Sequence, residues 1–371
     1  MARLFKTSFH IVFVLLSATS GLLAASSSPD LTKVKKEAEA KGYIFEASRD
    51  EIVAKAKKEG RLRVLSTMEI RVLKALRDAF SKKYPFIDTR AEELGSVDEN
   101  QRFLLEIKAG AAKGWDVNRV YTDFYGEFLP YQKKFDILGM AEHKILHIPP
   151  QLVDPRSRNV VTSVSNMNVV AYNKKLLSPD QVPEKWEDFL KPEFKGRKFV
   201  TDIRPVPLAI LVPAWGLEKT VDFARKLAAQ NPVWGRGHTR MISSVINGDV
   251  VAVAGTNLGS AKNNQEKDRA GVLGMKIIEP VPIRLHEGNS VLNSAESPYA
   301  GLLWLEFSAS PEGQKIIDQY WPLGASILLP GSAQTELTQG KKLSLADWNH
   351  MQKVDDYLEK IVAALGFPKA K

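Results

Sequence analysis

The sequence has no cysteine. Disulfides are therefore excluded, and so is a cysteine nucleophile. The lipidation site that an anchored lipoprotein needs at its mature N-terminus is also missing. A chain without disulfides must be held by hydrophobic cores, and 371 residues are enough for two. Local signatures of common hydrolases and nucleotide-binding proteins are missing too: no Gly-x-Ser-x-Gly elbow, no His-Glu-x-x-His and no Walker A loop. No spacing of Asp and Glu singles out a catalytic pair. Dense runs of Lys or Arg are lacking. The formal net charge of +9 thus describes a generally basic soluble protein, not a nucleic-acid binder. It falls by two to +7 when Arg3 and Lys6 leave with a leader. No internal repeat or low-complexity tract is visible.

What is present is ordinary for a globular chain, with 44% hydrophobic and 26% charged residues, so disorder is excluded. Arg3 and Lys6 precede an apolar run from Phe9 to Leu23, and Ala24, Ala25 and Ser26 follow. A basic start, short apolar middle and small-residue exit predict a signal peptide over 1–25, cleaved near Ala25. The run is shorter than the ~20 residues needed to span a bilayer, and no later stretch could span one. A freely diffusing exported protein is expected, periplasmic where an outer membrane exists.

Residues 26–50 read as a polar N-terminal extension of uncertain order, with a charged helical piece around Lys33 to Lys41. From Glu51 the pattern is regular. Gly60 ends a helix in the left-handed conformation that glycine adopts cheaply. Strands are predicted at Arg61–Thr67, Ile87–Leu94 and Trp115–Tyr121, with a helical stripe of Ile70, Leu73, Leu76 and Phe80 after the first. Ser96 with Glu99 forms a capping-box signature before the next helix. This order predicts a parallel α/β sheet, which binds ligands beyond the carboxyl ends of its strands. The middle region repeats the grammar: strands at Asn168–Tyr172, Phe199–Asp202 and Val250–Ala254, helices at Trp186–Leu190, Leu217–Gln230 and Thr239–Ile246. The apolar run Val250 to Ala254 suits a strand covered on both faces. A last helix is predicted with Ser344 and Asp347 as caps, a stripe of Trp348, Met351, Leu358, Val362 and Leu365, and Gly366 and Pro368 as its stop.

Two stretches carry a family resemblance. One is Ala171-Tyr172-Asn173-Lys174-Lys175-Leu176-Leu177, running into Pro183-Glu184-Lys185-Trp186-Glu187-Asp188-Phe189-Leu190 and Phe194-Lys195-Gly196-Arg197-Lys198-Phe199-Val200-Thr201-Asp202. The other is Ser297-Pro298-Tyr299-Ala300-Gly301-Leu302-Leu303-Trp304-Leu305-Glu306-Phe307, followed by Ser310-Pro311-Glu312-Gly313-Gln314. In this order the chain resembles the extracellular solute-binding proteins of bacterial ABC importers, in the ferric-iron-binding-like branch, from about Ile52 to about Leu329. The resemblance implies an α/β, two-lobed type 2 periplasmic binding protein fold. Lobe 1 would hold 51–169 and 288–371, and lobe 2 170–287, with hinge crossings near 170 and 287. It also implies a monomer without cofactor or catalytic residues, a small-molecule solute trapped by lobe closure, a cognate permease as partner and no nucleic acid.

The resemblance points at four places for the ligand, and each has an ordinary structural reading beside it. Ser66 and Thr67 follow the first strand at a helix start, where they would hold an anion or simply cap. Asp123, in Tyr121-Thr122-Asp123, would meet a cationic group or cap the next helix. Asn168, in Asn166-Met167-Asn168, stands at the first crossing, for ligand or for hinge backbone. In lobe 2, Asp202-Ile203-Arg204 and Gly255-Thr256-Asn257 flank the most suggestive piece, Gly235-Arg236-Gly237-His238-Thr239-Arg240. Two glycines expose N–H groups there beside two arginines, good chemistry for an acid group. The candidate ligand set is Ser66, Thr67, Asp123, Asn168, Arg204, Arg236, His238, Thr239, Arg240, Thr256 and Asn257, with no metal ligand. His143 and His147 are four apart, but Pro149-Pro150 follows and no glutamate adjoins the first, so two ordinary histidines are the better reading.

The chain departs from the ferric-binding pattern at one point. Those proteins carry adjacent tyrosines just after the strand at Val250 to Ala254; here stands Thr256-Asn257-Leu258-Gly259. Asn and Thr do not replace phenolate donors for Fe(III), so the expected solute is small, organic and anionic. Ferric iron, a thiamine- or polyamine-type cation, and, in a different class, a secreted hydrolase are the alternatives. A membrane sensor as recipient is a further one.

Overall fold

The computed structural model describes residues 29–95, 97–121, 124–321 and 323–366. The signal-peptide segment, Ser96 of the capping box, Thr122, Asp123 and the Pro368 stop all lie outside the described residues. No helix among the described residues is long and apolar enough to cross a membrane.

Ten strands are present among them: β1 (Arg61–Ser66), β2 (Asp88–Glu93), β3 (Val117–Arg119), β4 (Val161–Asn173), β5 (Phe199–Asp202), β6 (Val233–Gly235), β7 (Ala252–Asn257), β8 (Leu273–Lys276), β9 (Val281–Val291) and β10 (Leu343–Ala346). Their order is β2-β1-β3-β9-β4-β7-β5-β6, with β10 on β9 and β8 on β4. The first three strands are mutually parallel, as their βαβ grammar predicts, and β5 is parallel to both β6 and β7. The sheet is nevertheless mixed, because β9 runs antiparallel to β3 and β4 antiparallel to β7, β8 and β9.

β4 joins two halves. Its residues Val161 to Met167 pair with β9, and Asn168 to Asn173 pair with β7 and β8. Sequence alone shows only the second part of this strand. The return passes along β9: Val281 and Ile283 pack with Met241 and Val245 of the second half, while Leu285 packs with Leu65 and Phe103 of the first.

Each half is covered on both faces. Leu62 and Val64 of β1 enter one apolar cluster with Leu73, Leu76 and Phe80, while Leu65 enters another with Phe103 and Leu104. In the other half Ala252 and Ala254 face Phe189, Phe199 and Phe223, and Val253 faces Met241 and Val245. The apolar run thus divides between two layers, as a strand buried on both sides requires.

Two segments pack differently from the sequence reading. Residues 29–50 are not loose: the Pro29–Ala40 helix and the chain after it place Ala38 and Phe45 in the first core, Phe45 at 1% exposure. The last helix is split, since Ser344 lies in β10 while Asp347 caps a short Trp348–Met351 turn by accepting from the N–H of His350. The following Val354–Leu365 helix puts Ile361 and Leu365 among Phe189, Phe199 and Phe223. Trp348 belongs to a cluster of the first half. The chain therefore crosses a third time near 349–353, and the assignment of 288–371 to the first lobe fails for its last helix. An amphipathic helix goes where its apolar stripe finds cover, and here the cover is the Leu217–Ala229 helix.

Candidate functional site

A cavity of about 450 Å3 opens between the halves. Its walls are strand ends. From the first half come Thr67 and Glu69 after β1, Glu93 and Gly95 at the end of β2, and Arg119 and Tyr121 at the end of β3. β4 gives Asn166 and Asn168, while Met167 between them points into the opposite core, as strand alternation demands. β9 gives Arg284 and His286. From the second half come Asp202 and Arg204 after β5, Gly237 and His238 after β6, and Asn257 and Ser260 after β7. Ligand sites at the carboxyl ends of parallel strands are the rule in such sheets.

One wall is built around a buried carboxylate. Glu287 is 0% exposed and accepts from the Ser66 hydroxyl, the Thr67 hydroxyl at 2.6 Å and the Thr67 N–H at 3.0 Å. Arg119 stands 3.5 Å from it, donates to the Thr67 hydroxyl at 2.6 Å, and lies over the Tyr121 ring at 4.3 Å. Arg119 also donates to Nδ1 of His286 at 3.0 Å, which requires a lone pair there. Desolvation holds His286 neutral, its pKa pushed well below the usual value, and Arg119, Arg284 and His238 push the same way.

The facing wall repeats the device. Asp202 accepts from the backbone N–H of Arg204 at 2.9 Å and from its guanidinium at 3.2 Å. His238 shares Nδ1 with the Thr256 hydroxyl at 3.1 Å and accepts from the Asn257 N–H at 3.4 Å, which leaves its proton on Nε2. Desolvation, then the field of Arg284, lowers its pKa to about 4. Both histidines therefore sit in the positive potential of the arginines around them. Below pH 6.5 the unfolded chain protonates such histidines, while His238 and the buried His350 stay neutral until about pH 4. The unfolded state binds more protons in that window, so stability falls as pH drops from 6.5 toward 4. Thermal unfolding followed across that range should show it, and His238→Gln should flatten part of the slope.

Across the cavity mouth Asn263 of the second half donates to Glu69 at 3.1 Å and accepts from Arg71 at 3.0 Å. Asn263→Ala should shift the halves apart by removing about 1–2 kcal/mol of this contact. Solute affinity should drop roughly fivefold to thirtyfold, with a larger radius of gyration in the unliganded protein by small-angle scattering; an unchanged affinity would make the contact incidental.

Of the sequence-predicted set, Thr67, Asn168, Arg204, His238 and Asn257 line the cavity. Ser66 and Thr256 are buried behind it, holding Glu287 and His238. Asp123 lies outside the described residues. Arg236, Thr239 and Arg240 are exposed and do not line the cavity, a correction to the arginine-loop reading. Only Gly237 and His238 of that loop reach in. Gly235 serves packing, since a Cβ there would sit 2.6 Å from the Met241 side chain, and Gly237 holds a φ of +89° at the helix start. The missed residues are Arg119, Arg284, His286 and Glu287. β9 carried a signal for two of them: Val281, Ile283 and Leu285 alternate with Arg284 and His286, a strand with one polar face.

No group of three or more His, Cys, Asp or Glu that could hold a metal ion occurs among the described residues. His143 caps the Ile137–Glu142 helix and bonds Gly139, and the His147 N–H donates to Glu306, so the two do not form a helical pair.

Residues 122–354 match the family described as bacterial extracellular solute-binding protein. No curated protein matches the chain. Solved structures share the fold. Iron-bound HitA from Pseudomonas aeruginosa is 17% identical over 83% of this chain and 99% of that one, with a TM-score of 0.57. FutA from Trichodesmium in complex with iron and citrate is 18% identical over 83% and 100%, at 0.63. The substrate-binding protein of an ABC transporter from Agrobacterium tumefaciens is 15% identical over 84% and 96%, at 0.62. At these identities the likeness establishes the two-lobed α/β fold.

Proposed function

Since the chain belongs to the bacterial extracellular solute-binding protein family and so serves as a solute-binding component of ABC importers, we propose that its solute is an anion held between the halves, with a ferric carboxylate chelate as first choice. One observation carries the anion: Arg119, Arg204 and Arg284 all line the cavity at the strand ends between the halves, where two histidines are kept neutral beside them. Guanidinium groups pair with carboxylates through charge-assisted bonds, and Asn166, Asn168 and Asn257 supply orienting amides.

Iron enters through the fold neighbours, which include iron-bound HitA and FutA with iron and citrate. Tyr121 is the one tyrosine on the cavity wall among the described residues, so the chain itself offers poor donors for a bare ferric ion. A chelate removes the difficulty, because its carboxylates hold the metal and present their remaining charge to the arginines. The protein then works as a monomer that hands its solute unchanged to a permease, and closure is favoured by contacts made only when both walls touch the solute.

The test is calorimetry on ligand-stripped protein with ferric citrate, citrate alone, phosphonates, sulfonates, thiamine and polyamines. Binding of ferric citrate well above citrate alone supports the chelate. Citrate or another metal-free anion binding as tightly would retain the anion and remove the iron. Binding of thiamine or polyamines only would overturn both. Recovery of the solute chemically altered would point instead to a secreted hydrolase.

A further inference from the structure

The Leu258–Lys267 helix belongs to the second half, where Leu258 and Ala261 enter the cluster of Met241 and Val245. A different face of it meets the first half twice. Asn263 holds Glu69 and Arg71 across the cavity mouth. One turn earlier on that face stands the buried Gly259. A Cβ at Gly259 would come within 2.8 Å of Nε1 and 3.3 Å of Cδ1 of Trp321. Trp321 follows the Pro311–Tyr320 helix, packs against the first core and lines the cleft.

The backbone does not ask for glycine at 259. Its φ is not positive, and glycine inside a helix costs stability relative to alanine. What the missing side chain provides is room for the indole. The nearest other atom is Oδ1 of the capping Asn257, at 3.2 Å from such a Cβ. The indole is itself boxed in. Its ring meets His286 edge-on, with centroids 5.9 Å apart at 89°. At its base a Cβ on Gly324 would lie 2.9 Å from Cγ of Trp321, and the Gly324 N–H donates to the Trp321 carbonyl at 2.8 Å. One tryptophan is thus seated between two glycines, neither of them at a positive φ. Two residues on, Leu323 packs in the cluster that holds Met167 and Val169 of β4. The contact therefore lies close to the hinge strand, where a small displacement is enlarged at the cavity mouth.

We propose that Trp321 against Gly259 is the stop that sets how near the two halves approach, and that Trp321 is thereby a positioning residue for the cleft solute. The indole from the first half and the bare backbone of the second fix the spacing between the Arg119 wall and the Asp202 wall. A solute that bridges the walls is selected by that spacing. Any side chain at 259 moves the walls apart, and the solute loses contacts on one of them. The inference rests on the solute-binding reading but not on the identity of the solute.

The experiment reads the spacing directly. The chain has no cysteine, so spin labels at Leu105→Cys and Leu176→Cys, both exposed and one on each half, report the separation by dipolar spectroscopy. Gly259→Ala should lengthen that distance and weaken ferric citrate about tenfold by calorimetry. Trp321→Leu takes away the ring edge that Gly259 faces. In that background Gly259→Ala should leave the distance unchanged and the affinity within about twofold, the non-additivity expected of touching groups. If Trp321→Leu does not fold, Trp321→Met takes its place. An unchanged distance in Gly259→Ala overturns the stop. So does a lengthening that persists in the Trp321→Leu background, since it would then come from crowding Asn257. Failure of the unaltered protein to bind ferric citrate removes the chelate reading alone, because the distances still decide the stop.

Discussion

Replacing Glu287 with leucine is expected to lower the unfolding free energy by about 3–5 kcal/mol, the usual cost of stripping one partner from a buried ion pair. The carboxylate is fully buried and gathers two hydroxyls, one N–H and the Arg119 guanidinium. Leucine would leave Arg119, itself 5% exposed, without its counter-charge, and would free both hydroxyls. The backbone φ of +52° at this position is borne by either side chain and cancels from the difference. Denaturant unfolding gives the number. Glu287→Gln should cost less, because the amide oxygen still accepts one hydroxyl. A loss below 1 kcal/mol for the leucine variant would mean that Arg119 finds another anion or water, and that the wall is less rigid than its hydrogen bonds imply.

The second large effect concerns the solute. Arg204→Gln with Arg284→Gln should weaken binding of the anionic solute by about a hundredfold to ten-thousandfold. Charge-assisted bonds are worth about 1.5–3 kcal/mol each, and tenfold corresponds to 1.4 kcal/mol. Two groups lining one cavity need not add, so the single variants belong in the same series. The control is Arg236→Gln with Arg240→Gln, which should leave affinity within twofold, since both side chains are exposed and neither lines the cavity. Equal losses in the two double variants would place the solute outside the described cleft. Circular dichroism on each variant guards against misreading, because Arg204 also neutralises the buried Asp202.

The strand–helix grammar that builds each half was legible in the sequence because periodicity is local. β5, the Leu217–Ala229 helix and the Gly60 stop stand where their patterns put them, within a residue. The site was legible only where it coincided with a local signal. Thr67 and His238 stand at strand-to-helix turns, and Asn168 stands beside a hinge, so each was visible. Arg119, Arg284 and Glu287 sit inside strands, where a charged residue reads as a solvent-facing alternate. Only the pairing of β9 with β3 and β4 turns those positions inward. The Gly235-to-Arg240 loop misled in the opposite direction: it has the composition of an anion site, but its arginines are exposed and do not line the space that Gly237 borders. The C-terminal stripe reads as one helix, but it spans two elements and Val362 is exposed; an apolar stripe says that a helix is covered and not by what.

The last helix has a consequence for the order in which the protein comes into being. The apolar layer it completes is otherwise assembled from residues between Val170 and Ile278, yet Ile361 and Leu365 are made well after all of them. The other layer begins at Ala38 and needs Ala325. Neither layer has all of its residues until these later segments have been synthesised. A nascent chain of this design lacks part of each core until then, which prolongs the interval in which it can be engaged as an unfolded polypeptide.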